Sequence, residues 1–202
     1  MQVWFDALPH AGADLPGSAP ASCLGRSAPR VAIANRSCYK ILVISPDEFR
    51  HVLGHFASGV TIVSTCDSET RPTGLTASAF SSVSLDPPLV LICVDHKSQS
   101  YPALLERGCF AINVLTNEQE HASRRFASSR LDKFDGVEFE VSDLSLPLIK
   151  GALAHIECTT VNTHVEGDHT IFIGRVERAR VGDGEPLLYF RGKYGRLAGD
   201  AS

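Results

Sequence analysis

The stretch AHIECTTVNTHVEGDHTIFIGRVERARV, Ala154 to Val181, decides the fold class. It reads as two long strands, Ala154 to Val165 and Thr170 to Val181, with Gly167-Asp168 between them. Glycine followed by a short polar residue between two β-rich runs is a hairpin signal. A hairpin makes its two strands antiparallel, so the sheet they belong to is antiparallel at least there.

Working outward, most other segments are also strand-like. Val60 to Thr65 is β-branched, Asp67 to Pro72 is a turn cluster, and Thr73 to Ser84 is small, polar and β-compatible. Pro87-Pro88 precedes the apolar strand Leu89 to Val94; Cys109 to Leu115 and Leu187 to Phe190 complete the set. Helices are few. Ser45-Pro46-Asp47-Glu48 is a capping box with proline at the first helical position. Phe49, Val52, Leu53 and Phe56 follow at helical spacing, and Gly59 is the predicted stop. A short helix is predicted over Tyr101 to Glu106, ended by Gly108, and a polar one over Asn117 to Phe126. Short turns between strands favour a mainly β fold, an antiparallel sheet or barrel, over a doubly wound parallel sheet.

Composition narrows the function classes. The 202 residues carry 19 basic and 23 acidic side chains. A net charge of -4 leaves no electrostatic footprint for nucleic acid. The longest apolar run, Leu89 to Val94, falls far short of the ~20 residues of a membrane helix, so no membrane partner is expected. The charge is unevenly spread: residues 1–43 hold four basic and two acidic residues and four of the 11 prolines. That segment lacks a sustained period and is expected to be disordered, to serve as a transit peptide, or to be upstream sequence preceding a start at Val43. Recovery of peptides from 1–42 from the native protein would exclude the last reading. Six cysteines stand no closer than 15 residues apart, which gives no zinc spacing. Cys93 and Cys109 lie in apolar runs and are expected to be buried, reduced thiols, suited to the cytoplasm.

Sequence signatures of Rossmann, Walker, α/β-hydrolase and zincin chemistry are missing. His51 and His55 stand four apart on the first predicted helix, but no carboxylate cluster completes a metal site, and surface positions are expected. Four stretches could carry chemistry. Gly74 to Ser84 is too small and hydroxylated to build a core, and would let a flat ring approach the backbone; equally, it reads as a Ser/Thr-rich edge strand. His96-Lys97-Ser98-Gln99-Ser100 could meet a phosphate or simply start a helix. Arg124-Arg125-Phe126 reads as a basic pair or a solvated helix end, and Gly167-Asp168-His169 as a functional turn or a plain one.

Taken in order, these pieces resemble the flavin reductase family, the short-chain NAD(P)H:flavin oxidoreductases that serve two-component flavin monooxygenases. The resemblance runs from about Ser45 to about Leu197. It rests on FRHVLGHFASGVTIV (49–63), GLTASAFSSVSLDPP (74–88), Lys97 to Ser100, FAINVL (110–115), Arg125-Phe126-Ala127, Asp132-Lys133-Phe134, Gly167-Asp168-His169 and LYFRGKY (188–194). It implies a split β-barrel of antiparallel strands over residues 44–202, with an N-terminal helix and a few short ones, assembled as a homodimer. It implies FMN or FAD held by Thr76, Ala77, Ser78, Ala79, Phe80, Ser82 and Val83, with Lys97, Ser98 and Ser100 by the phosphate and Arg125 and Phe126 at the same site. It implies NADH or NADPH placed by Gly167, Asp168 and His169, with Tyr194 close by. Two positions depart from the pattern. Ala79 stands where relatives often carry a hydroxyl or amide, and Thr170 where a larger apolar residue is common.

The implied reaction is hydride transfer from a nicotinamide to a flavin, in which cofactors carry the chemistry and the protein aligns two rings at roughly 3–3.5 Å. A separate monooxygenase would use the reduced flavin. Competing readings are a non-catalytic flavin-binding protein, an FMN-dependent oxidase of the same barrel class, and a structural module without this chemistry.

Overall fold

The computed structural model describes residues 44–198, so the expectations for residues 1–43 lie outside the described residues. The chain forms α1 (Pro46–Leu53), β1 (Ser58–Gly59), β2 (Thr61–Cys66), β3 (Pro72–Ala77), β4 (Phe80–Leu85) and β5 (Pro88–Asp95). It continues with α2 (Tyr101–Arg107), β6 (Cys109–Val114), α3 (Glu120–Ala127), β7 (Phe139–Val141) and β8 (Pro147–Ile149). The last elements are β9 (Ala154–Glu166), β10 (His169–Val181), β11 (Leu188–Phe190) and β12 (Lys193–Gly195).

A seven-stranded antiparallel sheet dominates, in the order β3-β2-β6-β9-β10-β5-β4. Its spine is the expected hairpin: β9 and β10 pair along their length and turn at Gly167, whose φ is +61°. The edge strands β3 and β4 are sequence neighbours, linked only by Ser78 and Ala79. The two ends of the sheet are therefore tethered together. Accordingly, Val63 and Ala77 near one edge share a buried cluster with Val90, Ile92 and Val94 near the other, around Phe110 and Phe172. Gly174 is required in this core, since a Cβ there would lie 2.6 Å from the Phe110 ring. A second cluster packs α3 through Phe126 onto Ile62, Leu115 and Phe134.

Several expectations are corrected by tertiary contacts. The capping box forms: Ser45 Oγ accepts from the Glu48 N–H at 3.2 Å, and Glu48 accepts from the Ser45 N–H at 3.0 Å. The helix nevertheless ends at Leu53 with Gly54 as its cap, not at Gly59. The Gly54 carbonyl accepts from the Arg191 N–H, and Ser58–Gly59 pairs with β11. Phe49, Val52, Leu53 and Phe56 are all more than half exposed. The third helix begins at Glu120, not Asn117, because Thr116 bridges to Pro186 and the Asn117 N–H bonds to the Glu185 carbonyl. Cys93 and Cys109 are only half-buried; Cys66 and Cys158 are the buried thiols, and burial pushes Cys158 up to about 12. Cys93 alternates with the inward residues Ile92 and Val94 and takes the other face of β5. Among the described residues no helix is long and apolar enough to cross a membrane.

His155 is buried on β9 between two fixed partners: it contacts the Ile149 carbonyl through Nε2 at 2.8 Å and accepts from Arg180 Nε at Nδ1 at 3.1 Å. That set suits the neutral ring with its proton on Nε2. Burial accordingly lowers its pKa below the ordinary 6.5. The unfolded chain therefore takes up a proton that the folded chain resists, and stability falls as pH drops below 6.5 toward the folded value. Chemical denaturation at stepped pH should show this loss, and His155→Gln should flatten it; an unchanged slope in the variant would place the acid sensitivity elsewhere.

Candidate functional site

Four segments meet around one edge of the sheet, namely β3, the turn between β5 and α2, the end of α3 and the loop after it; the tip of the β9–β10 hairpin lies against the β5–α2 turn. The meeting point is Gly74. A Cβ there would lie 2.7 Å from the Val63 carbonyl oxygen and 3.0 Å from the Phe126 ring, so only glycine lets the aromatic ring lie against the strand. As β3 is an edge strand, the Gly74 carbonyl is open to side chains. It accepts from Ser100 Oγ at 2.8 Å and from Lys133 Nζ at 3.2 Å.

A cavity of about 340 Å³ opens beside this point, lined among others by Thr76, Lys97, Ser98, Phe126 and Lys133. Four of those five are residues that the sequence had marked. Thr76 is half-buried, and its hydroxyl donates to the Ser123 carbonyl at 2.6 Å. Ser123 Oγ is in turn 2.8 Å from the Tyr194 hydroxyl, and the Arg124 guanidinium lies 4.7 Å from the Tyr194 ring centre. Tyr194 thus braces α3 rather than lining the cavity. Ala77 is buried, with its carbonyl taken by Thr61 Oγ1. Ser78, Ala79, Ser82 and Val83 are exposed along the corner between β3 and β4, and Phe80 packs partly into the core. A bulge between Ser82 and Ser84 leaves Val83 outside the ladder.

Three marked side chains are turned into the protein. Ser100 is fully buried, its hydroxyl shared between the Gly74 carbonyl and Thr73 Oγ1. Arg125 donates from Nε to the Lys133 carbonyl at 2.8 Å and from Nη2 to the Asp132 carbonyl at 2.7 Å. It thereby clamps the loop onto α3. Phe126 is buried edge-on to Phe134 at 4.8 Å, and borders the cavity while serving the core.

At the hairpin tip, His169 Nδ1 is 2.7 Å from Asp168 Oδ1. This bond, with a smaller contribution from nearby Lys97, holds the Asp168 carboxyl below the usual carboxylate range. The His96 N–H donates to the Asp168 carbonyl, and Asp95, opposite His169 in the ladder, lines the cavity. The tip and the cavity are therefore neighbours. Thr170 is buried; its hydroxyl lies 3.0 Å from His96 Nε2 and 2.9 Å from the Tyr101 hydroxyl. Its polarity serves an internal network that holds the β5–α2 turn against the hairpin.

Lys133 was missed. Only 7% of its surface is exposed, and Nζ donates to the carbonyls of Gly74 and Phe126, with no carboxylate among the described residues paired to it. Burial lowers its pKa. An ammonium has three donors, and two are used here. In the sequence Lys133 stands out only as part of the Asp132-Lys133-Phe134 resemblance; its burial beside Phe134 exists only in the folded chain. Lys97 supplies a second, exposed cation. A cavity with a buried amine carrying a spare donor, a surface lysine and a serine hydroxyl fits a phosphate group, and the exposed small-residue corner beside it fits a flat ring. Among the described residues no group of His, Cys, Asp and Glu could hold a metal ion.

The family model for the flavin reductase like domain matches residues 53–198. The chain is 42% identical over 152 residues to the flavin-dependent monooxygenase reductase subunit HsaB of Rhodococcus jostii, covering 75% of this chain and 77% of that one. It is 43% identical to an NADH-dependent flavin reductase of a Rhodococcus species, covering 76% and 88%. Among solved structures it resembles the Streptomyces globisporus NADH:FAD oxidoreductase SgcE6, solved with NAD and FAD fragments. The TM-score is 0.73 at 42% identity, over 77% of this chain and 94% of that one.

Gly74→Ala should destabilise the fold by about 1–3 kcal/mol, because the added methyl would clash with the Val63 carbonyl oxygen and press on the Phe126 ring. Denaturant titration checks this; an unchanged midpoint would contradict the close approach.

Proposed function

The chain belongs to the flavin reductase like domain family, and on that footing we propose that it is an NAD(P)H:flavin oxidoreductase supplying reduced flavin to a separate monooxygenase. Its relatives include a reductase subunit of a flavin-dependent monooxygenase and an NADH-dependent flavin reductase. The observation that supports carrying the reading to particular residues is the cavity lined by Thr76, Lys97, Ser98 and Lys133 and by Asp95, the ladder partner of His169.

Bound there, a flavin would take a hydride from the nicotinamide, which is the chemistry the cofactors supply. The chain's own part is placement. Thr76 to Phe80, with Ser82 and Val83, would receive the ring and its polyol chain through backbone groups and hydroxyls. Lys97 and Ser98 would hold the phosphate, joined by Lys133. Ser100 and Arg125 would act as positioning residues, one through Gly74 and the other through the loop it clamps. Gly167, Asp168 and His169 would receive the nicotinamide nucleotide, with the Asp168 carboxylate orienting the His169 ring. Tyr194 would keep α3, and with it Thr76, in place.

Two architectural readings accompany this. Tethering of the two edge strands through Ser78 and Ala79 supports a sheet curled into a split barrel. The exposed apolar face of α1, together with exposed Val83 at the corner, supports a homodimer that covers both. Free thiols at all four described cysteines suit a reducing compartment, and we place the enzyme in the cytoplasm.

Anaerobic mixing of the protein with FMN or FAD and NADH or NADPH should bleach the flavin absorption band; no bleaching with any pair would refute the reductase. His169→Ala should lower turnover about tenfold or more while leaving flavin affinity within about twofold. Full turnover in that variant would remove His169 from the nicotinamide site. Val52→Glu should convert a two-chain species to a one-chain species in sedimentation, and a wild-type monomer would defeat the dimer.

A further inference from the structure

The open end of the β2–β6 ladder brings two thiols together. The ladder pairs Ser64 with Ala111, and two residues further on its antiparallel register sets Cys66, the last residue of β2, opposite Cys109, the first of β6. Thr65 Oγ1 donates to the Cys109 carbonyl at 2.9 Å, which holds the two strand ends side by side. By the alternation of a strand, both thiols lie on the face that carries Ser64 and Ala111. The turn from β7 into β8 covers that face: Cys66 Sγ donates to the Ser145 carbonyl at 3.5 Å, and Cys109 packs with Leu144 against Ala111, Leu146 and Leu148. Residues opposite one another in an antiparallel pair have Cα atoms about 4.5–5.5 Å apart, within the roughly 4.4–6.8 Å that a disulfide spans. Neither of the other described thiols has such a partner, since Cys93 stands opposite Ile171 and Cys158 opposite Phe110 and Val176.

Cys66 is also within reach of small molecules. It lines a cavity of about 300 Å³ together with Thr70, Arg107 and Phe139. Burial pushes its thiol up, the Arg107 guanidinium opposes that, and Asp67 and Cys109 add to it, so the reactive thiolate is a minor form at neutral pH. We propose that Cys66 and Cys109 are a redox pair, which hydrogen peroxide closes to a reversible disulfide that staples the open end of the ladder. The Cys66 thiolate attacks one peroxide oxygen. An S–O bond forms, the O–O bond breaks, and the departing hydroxide takes up the proton that Cys66 lost and leaves as water. The Cys109 thiolate then attacks the sulfenic sulfur. The S–S bond forms, the S–O bond breaks, and a second water leaves with the proton of Cys109. Two electrons pass from the two sulfurs to the peroxide. The loop so closed contains β3 and the β5–α2 turn, two of the segments that wall the cavity at Gly74. Reduced flavin that meets dioxygen gives oxidised flavin and hydrogen peroxide, so on the reductase reading turnover without an acceptor supplies the oxidant; the chemistry of the pair does not rest on that reading. A transient disulfide of this kind is compatible with a reducing compartment.

Thiol titration of the full chain before and after added hydrogen peroxide tests this, with the bridge mapped by peptide mass. Two thiols per chain should be lost and then regained with dithiothreitol, and the linked peptides should be those of Cys66 and Cys109. Cys93→Ser should keep the bridge and Cys66→Ser should abolish it. Cys109→Ser should stop at a Cys66 sulfenic acid, which dimedone traps. The rate of closure should still be climbing at pH 9, because attack needs the thiolate. The unfolding midpoint of the oxidised wild type should exceed that of the reduced form and fall back on reduction. A bridge to any other cysteine, Cys23 and Cys38 included, or between two chains, would overturn the inference. So would a wild-type chain that keeps both thiols, one whose Cys66 is oxidised without a bridge, a rate that levels off by neutral pH, or an oxidised form no harder to melt than the reduced one.

Discussion

The carbonyl of Gly74 is the point on which the site depends. It belongs to an edge strand, so the sheet does not use all of its hydrogen-bonding capacity, and two buried donors compensate. Ser100 brings in the start of α2, and Lys133 brings in the loop after α3. The missing side chain at the same residue lets Phe126 press α3 against the strand. One residue thus sets the distance between the elements that wall the cavity. A carbonyl accepting an ammonium and a hydroxyl is also strongly polarised, which helps to keep a lysine in a place where water is scarce.

Electrostatics in this region follow burial. Exposed ion pairs such as Arg130–Asp132 and Arg71–Asp67 contribute little to stability, because water and salt screen them, but they hold guanidinium planes in fixed orientations. Lys133 is the opposite case: buried, bonded to carbonyls alone, with its pKa lowered by desolvation. An anionic group arriving beside it would offset that desolvation. A ligand phosphate is therefore a natural third partner, and the surface cations act more as shape than as charge.

The parts of the fold set by local physics could be read directly. The capping box at Ser45 to Glu48, the left-handed Gly108 that ends α2 and the Gly167 turn each depend on a few adjacent residues. The short strands β1, β7, β8 and β12 escaped notice for the converse reason. Two or three residues carry no period, and β1 exists only because β11, far along the chain, pairs with it. The end of α1 was misplaced on the same ground: Phe56 continues the helical spacing, yet the Gly54 carbonyl is claimed by Arg191. Among the site residues, Thr76, Lys97, Ser98 and Phe126 were marked and do line the cavity. Ser100, Arg125 and Tyr194 were marked and are engaged with the protein instead. A polar side chain in a one-dimensional string does not reveal whether its partner will be a ligand or a carbonyl.

By itself, the sequence determined the antiparallel, mainly β character, the family resemblance and the stretches around which the site is built, because hairpin turns, caps and small-residue runs are local chemistry. Only the tertiary structure decided which of those polar groups were spent on holding the walls and which were left over. It alone revealed Lys133, since a lysine becomes a buried donor only when segments distant in the chain, β3 and the end of α3, present two carbonyls to the same point in space.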